Sequence, residues 1–154
     1  MKYSEYNPNK LEEINHLFIK TFSDSEDKSE GLVIGELTNN FMTNTDASDF
    51  YCFVATDSNE IIGSVFFSKF IFENDTKAYI LSPMAVLTEY QGKGIGQKLI
   101  NFALNILKEN GVEIVVTYGD PNYYSKVGFK VISEEIISTI KIIISRRMAC
   151  TIIN

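Results

Sequence analysis

Apolar residues in the first third of this chain recur at the three- and four-residue spacing that is typical of helices. Lys2–Tyr6 is compatible with a short first strand, and Pro8 suits the opening turn of a helix. The apolar face of this helix consists of Leu11, Ile14, Leu17, Phe18 and Phe22. The polar segment Ser23–Lys28 predicts a loop with cap residues for a second helix, which is expected from Ser29 to about Phe41. Its residues at helical spacing are Leu32, Val33, Glu36, Leu37 and Phe41.

The middle of the chain is rich in aromatic and β-branched residues, which favour strands. Phe50–Ala55 and Glu60–Ser68 flank a polar turn and therefore predict a β-hairpin. A third strand is expected from Thr76 or Lys77 to Leu81, and it runs on into Ser82–Val86. Because Pro83 has no backbone N–H to donate, we expect an edge or a bulge at that point.

A glycine-rich loop, Gly92–Gly96, follows this strand after a short polar turn and precedes an amphipathic helix that runs to about Asn110. The buried stripe of the helix consists of Ile95, Leu99, Ile100, Ala103, Ile106 and Leu107. The next strand is expected at Val112–Thr117. Since strand, helix and strand follow one another, we expect a right-handed crossover between adjacent parallel strands.

The last part of the chain predicts a short helix at Tyr123–Val127, which Gly128 closes. The isoleucine-rich tail, Phe129–Asn154, is expected to supply one or two further strands. No linker or internal repeat interrupts the pattern, so the sequence predicts one mixed α/β domain over residues 1–154.

Composition and charge narrow the class of protein only slightly. The chain has 154 residues, of which 45% are hydrophobic and 22% charged, as in ordinary soluble domains. Its formal net charge of -6 argues against general nucleic-acid binding, which needs a basic surface. The acidity is compatible with attraction of a cationic amine, although a solvated acidic surface is the simpler interpretation.

The chain offers little for metal binding or for membrane insertion. Cys52 and Cys150 form no Cys-x-x-Cys motif and His16 is the single histidine, so we expect no metal site. The first residues lack an apolar signal-peptide core, and no run reaches the roughly 18–20 apolar residues of a membrane span. We therefore expect a soluble cytoplasmic protein with reduced cysteines and no membrane partner.

The glycine-rich loop is a candidate anion site. Glycines let the backbone approach a ligand closely, and the unpaired N–H groups of the following helical turn favour a phosphate or pyrophosphate. A P-loop would need glycine at Leu87 and serine or threonine at Gly94. A Rossmann fingerprint would need glycine at Gln97 or Leu99. The sequence therefore excludes both of these patterns.

Two segments instead resemble the GCN5-related N-acetyltransferase (GNAT) superfamily. Gln91-Gly92-Lys93-Gly94-Ile95-Gly96 resembles the family's Gln/Arg-x-x-Gly-x-Gly/Ala loop, and Gly119–Phe129 resembles its Gly-Asp/Asn-Pro-x-Tyr-Tyr-x-x-x-Gly-Phe segment. The resemblance covers roughly Phe50 to Glu134 and fades beyond it. It implies the GNAT fold, a central mixed β-sheet with helices on both faces and a splayed strand pair that holds the cofactor.

The resemblance also implies acetyl-coenzyme A (acetyl-CoA) as the cosubstrate. The loop from Gln91 to Gln97 would bind its pyrophosphate, with Lys93 either adding charge or remaining solvated. The backbone of Met84 and Val86 would bond the pantetheine arm, and the N–H near Met84 would polarise the thioester carbonyl. Asp120 or Asn122 is a weaker candidate for a contact. The residues that the family pattern assigns to cofactor binding are Met84, Ala85, Val86, Gln91, Gly92, Lys93, Gly94, Ile95, Gly96, Gln97, Asn122 and Tyr124.

Tyr124 is the candidate catalytic residue, because the family places a tyrosine at this distance before Gly-Phe. A thiol has a pKa near ~8.5 and tyrosine near ~10, so a neutral tyrosine can donate a proton to the departing sulfur of coenzyme A. We assign Tyr123, beside it, to packing.

No general base is apparent: the strand offers Tyr79 and Ser82, Glu89 lies in a turn, and Glu36 lies on the second helix. A water relay or an acceptor that is already neutral would remove the need for one.

The sequence therefore predicts that residues 1–154 form a single N-acetyltransferase domain. Its reaction would move an acetyl group from acetyl-CoA to a primary amine, on a small molecule or a protein, by direct attack in a ternary complex. A homodimer is a further expectation. Two alternatives remain open, a transferase for a longer acyl-CoA and a non-catalytic acyl-CoA-binding domain. The acceptor is not specified, because the resemblance ends where the acceptor side of the fold begins.

Overall fold

A seven-stranded mixed β-sheet forms the centre of the computed structural model, which describes residues 1–70, 75–132 and 148–152. The strands are β1 Lys2–Glu5, β2 Phe50–Asp57, β3 Glu60–Phe70, β4 Ala78–Val86, β5 Ile114–Tyr118, β6 Lys130–Val131 and β7 Met148–Ile152. They lie in the order β1-β2-β3-β4-β5-β7-β6. Among these strands β4 and β5 pair in parallel and the other neighbours are antiparallel. The predicted hairpin and the predicted parallel crossover are both confirmed.

In the described residues, four α-helices accompany the sheet. They are α1 Leu11–Ser25, α2 Lys28–Asn44, α3 Ile95–Glu109 and α4 Pro121–Tyr124, and short 3₁₀ turns occupy Pro8–Lys10, Ala47–Asp49, Thr88–Tyr90 and Ser125–Val127. None of the helices in the described part of the chain has the length and apolar character that crossing a membrane requires.

The helices cover both faces of the sheet, because consecutive strand residues point to opposite sides. Phe66 of β3 packs against Phe18 of α1 and Phe41 of α2. On the other face, Phe53 of β2 packs edge-on against Phe102 of α3. The predicted α/β architecture with helices on both faces is confirmed, and α3 shares its face with the glycine-rich loop that precedes it.

The connection between α1 and α2 is shorter than the sequence predicts. α1 continues through Ser25 and α2 begins at Lys28, so the predicted loop at Ser23–Lys28 is largely helical. The cap does lie in the predicted segment, where the Asp27 carboxylate accepts a hydrogen bond of 2.9 Å from the Glu30 backbone N–H. Hydrogen bonds from the Ser29 hydroxyl and from that N–H hold the pKa of Asp27 below its ordinary value.

The face that α2 buries differs from the one its apolar residues suggest. Leu32, Val33 and Leu37 are 65%, 59% and 41% exposed, whereas the residues buried on α2 are Gly31, Gly35 and Thr38. An added Cβ at Gly31 would lie 2.7 Å from the Ile19 carbonyl oxygen of α1. The two helices therefore meet through small residues, since larger ones would hold their backbones apart.

β4 carries the irregularity that Pro83 predicts. Leu81 lies opposite Phe67 and Met84 lies opposite Val65, so Ser82 and Pro83 together face the single residue Phe66. The predicted bulge is therefore confirmed. β4 and β5 pair from Ala78–Ile114 to Leu81–Thr117, and no further pair joins them in the described residues. The two parallel strands separate where the bulge begins, as the family resemblance implies.

The end of the chain contributes β6 and β7, in agreement with the prediction of one or two late strands. β7 inserts between β5 and β6 and pairs with both. The isoleucine-rich stretch at 136–144 lies outside the described residues.

Gly31→Ala tests the close packing of α1 and α2. Alanine favours a helix over glycine by roughly 0.5–1 kcal/mol, so an uncrowded site would become more stable. Here the new methyl group meets the Ile19 carbonyl oxygen, and we expect the free energy of unfolding to fall by about 1–3 kcal/mol in urea titrations. The control Leu32→Ala changes an exposed residue of the same helix and should stay within about 0.5 kcal/mol. A stabilised Gly31→Ala protein would contradict the close packing.

Candidate cofactor-binding site

The loop before α3 is shaped by two glycines and one glutamine. Gly92 and Gly94 have φ angles of +75° and +77°, a left-handed conformation that glycine adopts without strain. The Gln91 side-chain amide donates a hydrogen bond of 2.8 Å to the Val86 carbonyl and so ties the loop to the end of β4. These features lead the chain from the end of β4, through the Thr88–Tyr90 turn, to the start of α3.

The first turn of α3 offers backbone N–H groups to a ligand. The first bond that reaches back into the helix start joins the Lys98 N–H to the Gly94 carbonyl, at 3.1 Å. The N–H groups of Ile95, Gly96 and Gln97 precede it and have no partner within the helix. Together with the helix dipole, they favour an anion at this end of α3.

An open cavity of about 630 Å³ lies against this turn and the end of β4. Its lining consists of Met84, Val86, Tyr90, Gln91, Gly92, Gly94, Ile95, Gly96, Gln97, Tyr123 and Lys126. Eight of these residues come from the set that the sequence predicts for cofactor binding. The structure therefore brings strand end, loop and helix start together around one space.

Four predicted residues lie outside this lining. Ala85 is buried in the core, and Asn122 is exposed beside the cap of α4. The Lys93 ammonium lies 5.2 Å from the centre of the Tyr90 ring. Tyr124 packs edge-on behind Tyr123, with the two ring centres 5.1 Å apart.

Three lining residues are absent from the predicted set: Tyr90, Tyr123 and Lys126. Tyr90 directly precedes the loop motif, so its place in the sequence could have identified it as a residue near the cofactor. Tyr123 belongs to the Tyr-Tyr pair of the second motif, which the sequence assigns to packing. Lys126 follows Tyr123 by three residues, a spacing that places both on one side of the short helical segment.

Gly96 permits the convergence of β4, α3 and α4. A Cβ built on it would collide with the Tyr123 hydroxyl and would lie 2.8 Å from the Met84 methyl group. Its φ angle is not positive, so the requirement for glycine here is one of space. The missing side chain leaves room at the bottom of the cavity.

Tyr124 lies between the cavity and the point where β4 and β5 separate. Its ring packs against Phe129, with centres 5.5 Å apart, and over Gly119. Burial raises the pKa of Tyr124 above that of an ordinary tyrosine, and a hydrogen bond with the Thr117 hydroxyl partly opposes the shift. The Thr117 hydroxyl in turn donates a hydrogen bond of 3.0 Å to the Leu81 carbonyl. These two residues form the last ladder pair between β4 and β5.

The candidate carboxylates lie elsewhere. Glu89 is exposed and lies 3.4 Å from the Lys20 ammonium of α1. A backbone hydrogen bond and that ammonium hold the pKa of Glu89 below its ordinary value. Glu36 is exposed on α2. Neither side chain lines the cavity, and no three potential metal ligands come together within the described residues.

The glycine-rich helix start and the separated strand pair define an α/β domain of the N-acetyltransferase type. The acetyltransferase (GNAT) domain family matches residues 48–131, more than half of the chain. A stretch of 79 residues is 38% identical to the uncharacterized N-acetyltransferase YhbS of Escherichia coli strain K12 and covers 50% of this chain and 47% of that protein. The match thus spans about half the length of the curated relative.

Two solved structures resemble the whole chain. A GNAT family acetyltransferase from Brucella melitensis in complex with acetyl-CoA is 25% identical, with a TM-score of 0.73 over 99% of this chain and 88% of that one. YhbS from Escherichia coli in complex with CoA is 24% identical, with a TM-score of 0.76 over 99% and 81%. This chain belongs to the GNAT acetyltransferase family.

Gly94→Ala tests whether the loop conformation serves a ligand. Alanine at a φ of +77° costs about 1–2 kcal/mol of stability and should pull the helix start out of place, so we expect acetyl-CoA to bind about tenfold more weakly in isothermal titration calorimetry. Gly111→Ala is the matched control, because Gly111 has a φ of +81° at the far end of α3. Equal losses of affinity in both variants would show that strain alone, and not the loop, governs binding.

Proposed function

We propose that this protein transfers an acetyl group from acetyl-CoA to a primary amine by direct attack in a ternary complex. The observation that carries the proposal is the cavity that joins the start of α3 to the end of β4. The family match and the relatives in complex with acetyl-CoA or CoA support the choice of ligand. We also infer that residues 1–154 form one N-acetyltransferase domain, since β1 and β7 belong to the same sheet.

The residues around the cavity suit coenzyme A in charge and in hydrogen bonding. The N–H groups of Ile95, Gly96 and Gln97 are suited to the pyrophosphate, and the space beside Gly96 would be filled by any Cβ. Lys126 in the lining adds positive charge. On its β5 side, β4 has no described ladder partner beyond Leu81, so the backbone groups on that side suit the amides of the pantetheine arm.

Bound acetyl-CoA would supply an acetyl thioester. In the proposed mechanism the N–H near Met84 stabilises negative charge on the carbonyl oxygen. Tyr124 is protonated at neutral pH, since burial raises its pKa. Its hydroxyl donates a proton to the departing sulfur and recovers one from solvent. The primary amine of the acceptor loses its proton to solvent.

Calorimetry with acetyl-CoA, followed by thiol-release assays, tests the proposal. The amine panel should contain spermidine, L-lysine methyl ester, an aminoglycoside and a tripeptide with a free α-amine. Thiol release with at least one amine supports the enzyme. Binding without release to any amine favours the non-catalytic domain, and release from a longer acyl-CoA alone favours the other transferase. No measurable binding contradicts all three functions.

Tyr124→Phe tests the proposed acid. Because the ring is retained, we expect the Kd of acetyl-CoA to stay within about twofold while kcat falls about 10²-fold, the usual contribution of a proton donor. Tyr123→Phe is the control, since it removes a neighbouring hydroxyl from the cavity lining and should change acetyl-CoA affinity more than kcat. A larger loss of kcat in Tyr123→Phe would transfer the role to Tyr123.

The pH dependence of kcat provides a second test of Tyr124. Its protonated form is the active one and burial raises its pKa, so loss of this proton should not reduce kcat below about pH 10. We expect kcat to rise as the acceptor amine becomes neutral and then to remain level to pH 9.5. A descending limb near pH 8 that disappears in Tyr124→Phe would contradict the raised pKa.

A further inference from the structure

A pair of hydroxyl groups lies where β4 and β5 stop pairing. The Ser82 and Tyr118 side-chain oxygens are 3.0 Å apart. Ser82 is the first residue of β4 beyond the last ladder pair, Leu81 with Thr117, and Tyr118 is the last residue of β5. The hydroxyl pair therefore bridges the two strands at the start of the opening between them.

On β5, this pair lies on the face opposite Tyr124. Tyr124 hydrogen-bonds with Thr117 and packs over Gly119, which are two residues apart and so share a face. Tyr118 lies between them in sequence and points to the other side. Tyr118 and Tyr124 thus approach the opening from opposite faces of the sheet.

On β4, the residues at the bulge also lie on opposite faces of the sheet. Met84 lines the cavity beside α3, whereas Ser82 lies opposite Phe66, whose ring packs against α1 and α2. Ser82 therefore belongs to the face that the cavity does not occupy. Both members of the hydroxyl pair reach this second face.

The two side chains are joined by a hydrogen bond, and the pair is still accessible. Tyr118 is 47% exposed, although its neighbour Thr117 is fully buried. One O–H satisfies the bond between the two side chains, which leaves a second O–H and unused lone pairs on the oxygens. A primary amine has N–H groups that match these lone pairs.

We propose that the Ser82–Tyr118 hydroxyl pair positions the primary amine of the acceptor. The inference rests on the proposed function: a cofactor in the cavity covers the α3 face of the opening, so the amine approaches from the other face. There its N–H groups donate to the pair, and its lone pair is turned toward the opening. The pair forms no covalent bond and takes no proton, so Ser82 and Tyr118 are positioning residues.

Tyr118→Phe and Ser82→Ala test the pair by steady-state kinetics with the best acceptor of the amine panel. Each removes one hydroxyl, and we expect the acceptor KM to rise about tenfold, kcat to stay within about threefold and the Kd of acetyl-CoA to remain unchanged. Because the two groups act together, the double variant should lose little more than either single one. Tyr3→Phe is the matched control, since Tyr3 lies on β1 at the far edge of the sheet.

Two kinetic results would overturn the inference. An unchanged acceptor KM in both single variants would show that the pair does not touch the amine. A loss of kcat at constant KM would assign the pair to the chemical step instead of to positioning.

A spectroscopic measurement separates this inference from the proposed function. Protein labelled with ¹³C-tyrosine is titrated with n-butylamine, with and without CoA, and the Tyr118 signals are identified from their loss in Tyr118→Phe. Shifts of the Tyr118 signals without shifts of the Tyr3 signals support amine binding at the pair, even if no amine of the panel is acetylated. Absence of Tyr118 shifts overturns the inference, whether or not acetyl-CoA binds.

Discussion

The separation of β4 from β5 after the Leu81–Thr117 pair is the constraint on which the rest of the site depends. Two parallel strands normally satisfy each other's backbone groups along their whole length. Here the bulge places Ser82 and Pro83 opposite one residue of β3 and redirects β4 at that point. The part of β4 after the bulge leads into the loop that Gln91 anchors to the Val86 carbonyl. The direction of this part of β4 therefore also sets the position of the start of α3. The cavity is the space that this change of direction opens.

The same separation gives the two faces of the sheet different chemistry. The α3 face has unpaired helix N–H groups and Lys126, which favour anions, and it has Tyr124, which burial keeps protonated. The opposite face has neutral hydroxyls from the two strand ends, Ser82 and Tyr118. A donor with a long anionic tail and a small amine acceptor could therefore meet at the opening without competing for one surface. This division is the physical argument for direct transfer in a ternary complex.

Features governed by local geometry could be predicted from the sequence, and those governed by packing between distant segments could not. The glycine loop was predictable because left-handed turns need glycine, and the bulge because Pro83 lacks a donor. The buried face of α2 could not be predicted, since Gly31 is buried by the close approach of Ile19 on another helix. The Ser82–Tyr118 pair was also hidden, because a parallel register brings together residues 36 positions apart.

Thr117 connects the strand separation to the proposed acid. Its side chain is fully buried and donates to the Leu81 carbonyl, so the backbone at the last ladder pair is satisfied from the side that faces Tyr124. The same hydroxyl lies beside the Tyr124 hydroxyl, and together with the packing of the ring against Phe129 and over Gly119 it holds the tyrosine next to the end of the strand. Without the Thr117 hydroxyl, the Leu81 carbonyl would lose a hydrogen-bond partner, at a cost of about 1–3 kcal/mol. Among the described contacts, the Tyr124 hydroxyl would then have none left with β5. Thr117 therefore links the last ladder pair at the opening to the position of Tyr124.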